Sequence, residues 1–429
     1  MSDPPSDASS PHFDLVVAGG GAAGFFGAIT FAEARPGSRV LILEKTSQVL
    51  GKVKISGGGR CNVTHACFDP RSLTQFYPRG SKQLIGPFNH WSPADTMSWF
   101  ENRGVPLKIE PDGRVFPQSD SSQSIIDCLL SAAKNAGVIV RTHTALNTAA
   151  LTPDGTFLLH LTPDQTLTTR RLLLTLGGTR NPIGAHLAAS FGHRIEDAAP
   201  SLFTFKITDP RLTDLPGLAV PDATVQVLSP GPKLRLQATG PVLITHWGLS
   251  GPGILKVSAW GARHLQQLDY RFDILVNWTG RATESQILQR FDQLRTSSPR
   301  KSLLNDPQFD IPTRLWKTLV EAALTPLHPN LPELRWPHLP SPLARRLAQE
   351  LGACTFAVDG KSMNKDEFVT CGGVHLGDVH FKTMESRLVP GLHFAGEILD
   401  IDGVTGGFNF QAAWTTAHLA GQAIAQSLD

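Results

Sequence analysis

Gly19-Gly20-Gly21-Ala22-Ala23-Gly24 is a G-x-G-x-x-G that follows the apolar run Leu15-Val-Val-Ala18 and opens a helical pattern reaching about Arg35. Arg39–Leu43 then reads as a second buried strand and ends at Glu44, 20 residues after Gly24. Strand, glycine turn, helix, strand and acid at this spacing form the arrangement that binds a dinucleotide. Gly19 permits the tight turn, Gly21 lets a pyrophosphate approach the backbone, and Gly24 brings helix and strand together. The N–H groups of Ala22 and Ala23 lie at a helix start whose dipole favours phosphate, and Glu44 is placed for a ribose hydroxyl. The 18 uncharged residues from Leu15 to Ala32 could be taken for a membrane span. Five of them are glycines, so strand-turn-helix is the expected structure.

A second glycine loop, Ser56-Gly57-Gly58-Gly59-Arg60-Cys61-Asn62, follows Glu44 and Lys45 closely. A nicotinamide domain does not require it, whereas the long ribityl chain and ring system of FAD does. Near the C-terminus, Gly391–Glu397 reads as a short strand ending in Ala-Gly-Glu. Asp400, Asp402, Gly403, Gly406, Gly407, Phe408 and Asn409 follow, then a helix from about Gln411 to Ser427. That helix start is placed to face the flavin and favour its reduced, anionic form. The candidate cofactor contacts are therefore Gly19, Gly21, Ala22, Ala23, Gly24, Glu44 and Lys45, then Gly58, Gly59, Arg60, Cys61 and Asn62. Gly177 and the C-terminal Gly396, Glu397, Asp402, Gly407, Phe408 and Asn409 complete the set.

The runs SGGGRCN (56–62), THWGLSGP (245–252), CGGV (371–374), TMESR (383–387) and PGLHFAGEILDIDGVTGGFNFQAAW (390–414) resemble a family of bacterial flavoproteins. These are the NAD(P)/FAD-dependent, aminoacetone-oxidase-like oxidoreductases, and the resemblance extends over about residues 13–425. It implies bound FAD and an α/β Rossmann-like fold of the two-dinucleotide-binding type. In that fold the FAD domain is interrupted by a β-rich insert carrying a small helical subdomain. The family's loop ends Arg-Cys-Asn-x-Thr-Asn, and here His65 replaces the final Asn.

The expected activity is an FAD-dependent oxidoreductase acting on a small or medium organic substrate, with NAD(P)H as transient reductant. Substrate-reduced amine oxidation is one alternative. A disulfide reductase using Cys61 and Cys67 is another, although these cysteines have five residues between them where such enzymes use four. Cys61 and His246 are the candidate catalytic side chains; a flavin carries the electrons itself, so no hydrolytic triad is required. His375 and His380 flank Gly377-Asp378 without a third ligand at metal spacing, so no metal is expected.

These residues must be positioned by a discontinuous cofactor domain, expected at 13–198 and 366–429, after a disordered tail over 1–12. The apolar run Leu172–Leu176, ending in Gly177-Gly178, returns to its sheet, with a helix near Ile183–Phe191. The insert is expected at 199–365, β-rich over 199–280 and 351–365 and helical over 281–350. Short alternating strands with Gly-Pro turns run from about Phe203 to Asn277. Charge is nearly balanced, 39 Lys+Arg against 37 Asp+Glu, without long basic runs, so no nucleic-acid partner is expected. Five scattered cysteines exclude a disulfide scaffold and, with no signal or transit pattern at the start, point to the cytoplasm.

Overall fold

Five short segments align as parallel strands, and the inner ones are apolar on both faces where the sheet is covered on both. In the computed structural model, which describes residues 12–178, 182–228, 235–328, 330–362 and 369–428, β1 (His12–Ala18) pairs in parallel with β2 (Val40–Leu43). On its other side β1 pairs in parallel with β9 (Gln165–Leu174). β6 (Ile139–Arg141) extends the sheet beyond β2, and the strand Leu392–Phe394 extends it beyond β9, again in parallel. Strand order thus reverses beside β1, with β2 on one side and β9 on the other, which creates a crevice at the carboxyl ends. β7 (Ala145–Leu151) and β8 (Phe157–Thr162) join β9 as an antiparallel meander.

Helix α1 (Ala22–Ala34) is buried over most of its length. It packs against the C-terminal helix Phe408–Gln426, where small residues allow the axes to approach: a Cβ on Gly421 would lie 2.7 Å from the carbonyl oxygen of Gly27. Helix α2 (Gly51–Gly59) carries the second glycine loop at its end. Its geometry breaks at Ser56, and Gly57 and Gly58 are left-handed. A three-stranded antiparallel sheet, β3 (Thr64–His65), β5 (Arg114–Pro117) and β4 (Leu107–Ile109) in that order, supports this loop.

The described residues fall into two units, within Met1–Pro200 plus Lys365–Asp429 and within Ser201–Asn364. The second holds a seven-stranded sheet whose central strands are Arg271–Asn277, Ala219–Leu228 and Gln237–Thr245. Its core includes the fully buried Trp278, Trp316 and Trp336 and the helices Glu284–Ser297, Thr313–Leu324 and Ser341–Gly352.

Several expectations need adjustment. The expected tail falls mostly outside the described residues, and His12 already pairs with Thr168 in the sheet. β9 begins at Gln165, well before Leu172, because its first half bonds to β8. The stretch read as strands from Phe203 to Asn277 also contains a 16-residue helix, Pro252–Gln267. Its Ile254, Val257, Gly261 and Leu265 form a buried helical stripe, and Pro252 suits a first-turn position. The C-terminal helix starts at Phe408, three residues before Gln411, because Gly407 in left-handed geometry precedes it. Of the Gly-Pro turns expected between Phe203 and Asn277, Gly231-Pro232 lies outside the described residues.

Candidate active site: a glycine-lined crevice

Three glycine turns meet at the carboxyl edge of the parallel sheet. The first leaves β1 at Gly19, whose backbone is left-handed (φ 115°) and sits so close to β9 that a Cβ would lie 2.4 Å from the Thr175 carbonyl oxygen. Gly24 is equally constrained, since its Cβ would fall 1.9 Å from the Gly19 carbonyl oxygen. A Cβ on Gly21, by contrast, would meet nothing within 4 Å. The turn is thus closed on its protein side and open beside the start of α1. That start has no side-chain cap and no acidic residue in its first turn, as an anion-accepting helix end requires. Glu44 sits beneath the turn, accepting from Gly20 N–H (3.0 Å) and from the N–H and hydroxyl of Thr46 (2.9 Å each). Lys45 is exposed next to it.

The second turn is the α2 glycine loop, where Gly58 and Gly59 also face open space. Arg60 turns away from it. Its guanidinium stacks 3.9 Å from the Phe116 ring centroid and bonds to Glu110 at 2.7 Å and Asp120 at 3.4 Å. Cys61 is fully buried, and burial pushes its thiol up to about 12, so it stays protonated at neutral pH. Burial raises the Cys67 thiol as well. Both directions oppose the low-pKa thiolate that disulfide exchange requires. Asn62 spans to the C-terminal segment. With its amide turned so that the nitrogen faces the Thr64 and Val115 carbonyls (3.0 and 3.3 Å), its oxygen accepts from Gly407 N–H at 3.0 Å.

The third turn follows Leu392–Phe394. Gly396 packs against α1, where a Cβ would lie 2.9 Å from that of Ala23. Glu397 accepts from Thr370 N–H at 3.0 Å, pairs with Lys52 of α2, and lies against Gly178, just after the open Gly177 at the end of β9. Gly407 closes over β3, its Cβ position 2.4 Å from the Thr64 carbonyl oxygen. Phe408 is buried and its ring stacks with His65 and Phe76 at 4.7 and 4.4 Å. Asn409 exchanges two 2.8 Å bonds with the backbone of Gly403. Asp402, read as a cofactor contact, is wholly buried with both carboxylate oxygens on Arg79, so its side chain serves the protein.

All the candidate cofactor residues thus lie in one unit, around the three turns. His246 belongs to the other unit, where it is exposed at the turn between the strands Gln237–Thr245 and Gly248–Ser250. Sequence reasoning missed Lys52, Arg79, Tyr77 and Thr175. Thr175 caps the first turn, its hydroxyl bonding to the carbonyls of Ala18 and Gly19 at 3.0 Å. Only its position just after β9 could have hinted at this. The residues fit FAD: the open glycines leave room for backbone approach to a pyrophosphate, and Glu44 and Glu397 offer acceptors for hydroxyls.

Comparison with known proteins agrees with this geometry. The profile of the HI0933-like protein Rossmann domain matches residues 13–423. The ribosomal RNA dihydrouridine synthase of Escherichia coli K12 is 28% identical over 422 residues, covering 96% of this chain and 98% of the relative. The 3-dehydro-bile acid delta(4,6)-reductase of Clostridium scindens is 28% identical over 418 residues, with the same coverage of 96% and 98%. Among solved structures, the 3-ketosteroid-delta4-(5alpha)-dehydrogenase of Rhodococcus jostii RHA1 superposes with a TM-score of 0.52 at 14% identity, over 98% of both chains. That likeness is one of fold. No helix among the described residues is long and apolar enough to cross a membrane.

Proposed function

Because the chain belongs to the HI0933-like Rossmann family of FAD-dependent oxidoreductases, we propose that it reduces a carbon–carbon double bond conjugated to a carbonyl, with NAD(P)H as the electron donor. The observation that carries the cofactor assignment is the convergence of three glycine turns at the carboxyl edge of the parallel sheet, at its switch point. Gly21, Gly58, Gly59 and Gly177 border the open side, and the start of α1 offers its N–H groups to the pyrophosphate. Glu44 and Glu397 accept from ribose and ribityl hydroxyls, and Asn62 fixes the loop before the C-terminal helix. FAD, when bound, supplies two-electron transfer between donor and acceptor.

The names of the two curated relatives support the acceptor class. Making dihydrouridine from uridine, and reducing a delta(4,6) steroid, each saturate a double bond near a carbonyl. The even charge balance favours a small acceptor over a long polyanion. A second reading, uridine within RNA, is favoured by the full-length relationship to a dihydrouridine synthase. An amine oxidase has no comparable support, and the raised thiols of Cys61 and Cys67 oppose a disulfide reductase.

The test is an anaerobic assay of the purified protein with NADPH or NADH and, separately, a cyclic enone, unmodified ribosomal RNA and a primary amine. Nucleotide oxidation coupled to saturation of the enone, or to dihydrouridine in the RNA, is the expected result and chooses between the acceptors. Flavin reduced by the amine and by neither nucleotide would overturn the reading.

A further inference from the structure

We propose that the buried Arg79–Asp402 ion pair, with Tyr77 beside it, is the device that positions the glycine loop before the C-terminal helix, and through that loop the cofactor. The inference rests on the FAD reading above and assigns Arg79, Tyr77 and Asp402 as positioning residues.

The segment 76–80 and the loop 401–409 meet at successive points. Arg79 and Asp402 form an antiparallel backbone bridge, and their side chains pair as a two-pronged fork, Nε with Oδ1 and Nη2 with Oδ2. Val404 N–H donates to the Phe76 carbonyl at 2.9 Å. The Tyr77 hydroxyl, fully buried, donates to the Phe408 carbonyl at 2.6 Å, within the first turn of the helix. Gly80 presses on Ile401, so that a Cβ there would lie 2.6 Å from Ile401 Cγ1. Within the loop, Asn409 holds Gly403 from both sides.

The choice of groups carries the argument. The Asp402 side chain has no exposure and that of Arg79 only 12%. A buried ion pair contributes little net stability against an apolar pair of similar volume, because both charges lose their water. What it supplies is geometry: a planar guanidinium meets a carboxylate in one register, which a lysine cannot reproduce. The loop so registered holds Gly407, whose N–H bonds to Asn62 of the second glycine turn. The fork therefore fixes one side of the crevice relative to the other.

Two variants test this: Arg79→Lys, which keeps the charge and loses the fork, and the charge-free double variant Arg79→Met with Asp402→Leu. Apoprotein of each is titrated with FAD by flavin fluorescence, and backbone deuterium exchange is followed in the absence of FAD. The expected result is exchange that rises over 400–409 and not over 19–24, with the FAD Kd raised at least about tenfold. If Arg79→Lys fails to fold, the double variant carries the test. A loop that loosens while Kd stays within about twofold overturns the proposal, as does protection lost throughout the unit, which marks the pair as merely structural. Wild-type apoprotein that takes up no FAD in the same titration would instead overturn the FAD reading beneath it.

Discussion

The turn after β1 and the turn after Leu392–Phe394 line the same crevice, and they are held by opposite means. At Gly19–Gly24 the constraints come from the turn itself and the two adjacent strands: Gly24 against the Gly19 carbonyl, Gly19 against Thr175, and Glu44 on Gly20 N–H. At Gly396–Asn409, beside the Asn409–Gly403 bonds and Thr370 N–H on Glu397, they come from residues more than 300 positions earlier. Arg79 holds Asp402, Tyr77 holds Phe408, Lys52 holds Glu397 and Asn62 holds Gly407. The first turn is a local solution to backbone sterics, which a short motif can encode. The second is a tertiary solution, in which the local sequence supplies glycines and the rest of the unit decides their shape.

Substitutions at the first turn break this comparison most severely. Gly24→Ala would drive a Cβ into the Gly19 carbonyl, 1.9 Å away, and should cost about 3 kcal/mol or more in thermal or denaturant unfolding. Gly21→Ala adds its Cβ to open space at an extended residue, so stability should stay within about 0.5 kcal/mol. FAD affinity should nevertheless fall about a hundredfold, because the methyl occupies the phosphate approach. Equal losses of stability in the two variants would contradict the division between a closed and an open side.

The pH dependence of stability sharpens the comparison next, through a histidine buried on the strand before the later turn and one half-buried against α1. His393, on the strand leading into the turn after Phe394, and His418, stacked 3.8 Å from Trp91 and 6.5 Å from Phe26 of α1, are both lowered to about 4 by burial. Between about pH 6.5 and 4 the unfolded chain binds protons at these sites that the folded protein refuses. Stability should therefore be fully present above about 6.5 and fall as pH drops through this window, by up to about 3 kcal/mol for each histidine. His418→Phe should flatten that slope in unfolding measured at stepped pH; a slope unchanged by it would place the titration elsewhere.

The smallest effect is expected at Cys61. With its thiol at about 12 the side chain is packing material, so Cys61→Ala should cost about 1 kcal/mol of stability. Steady-state turnover with NAD(P)H should stay within about twofold. Loss of turnover with FAD still bound would return the disulfide chemistry to contention.

What the sequence made legible follows the same division. The Rossmann fold of the chain is written in Gly19, Gly21, Gly24 and Glu44, because each spacing answers a local steric demand. The glycines of 396–409 were recognisable as a turn before a helix, but their clamp was not. Tyr77-Pro-Arg-Gly80 reads as an ordinary turn, and nothing local ties it to Asp402. For the same reason the sequence presents Asp402 as an acid in a glycine loop and hides its counter-ion, Arg79, 323 positions away. The helix Pro252–Gln267 was hidden by Gly251, Pro252, Gly253 and Gly261, which read as strand breakers although Ile254, Val257 and Leu265 keep helical spacing.

The central claim is that the glycine-lined crevice holds FAD, and the absorption spectrum of the purified protein, with flavin released by denaturation and quantified, tests it most directly. The expected result is a flavin spectrum, about one FAD per chain on the one-site reading of the fold, and loss of that colour in Gly21→Ala protein that remains folded. A colourless wild-type protein that takes up no added FAD would contradict it.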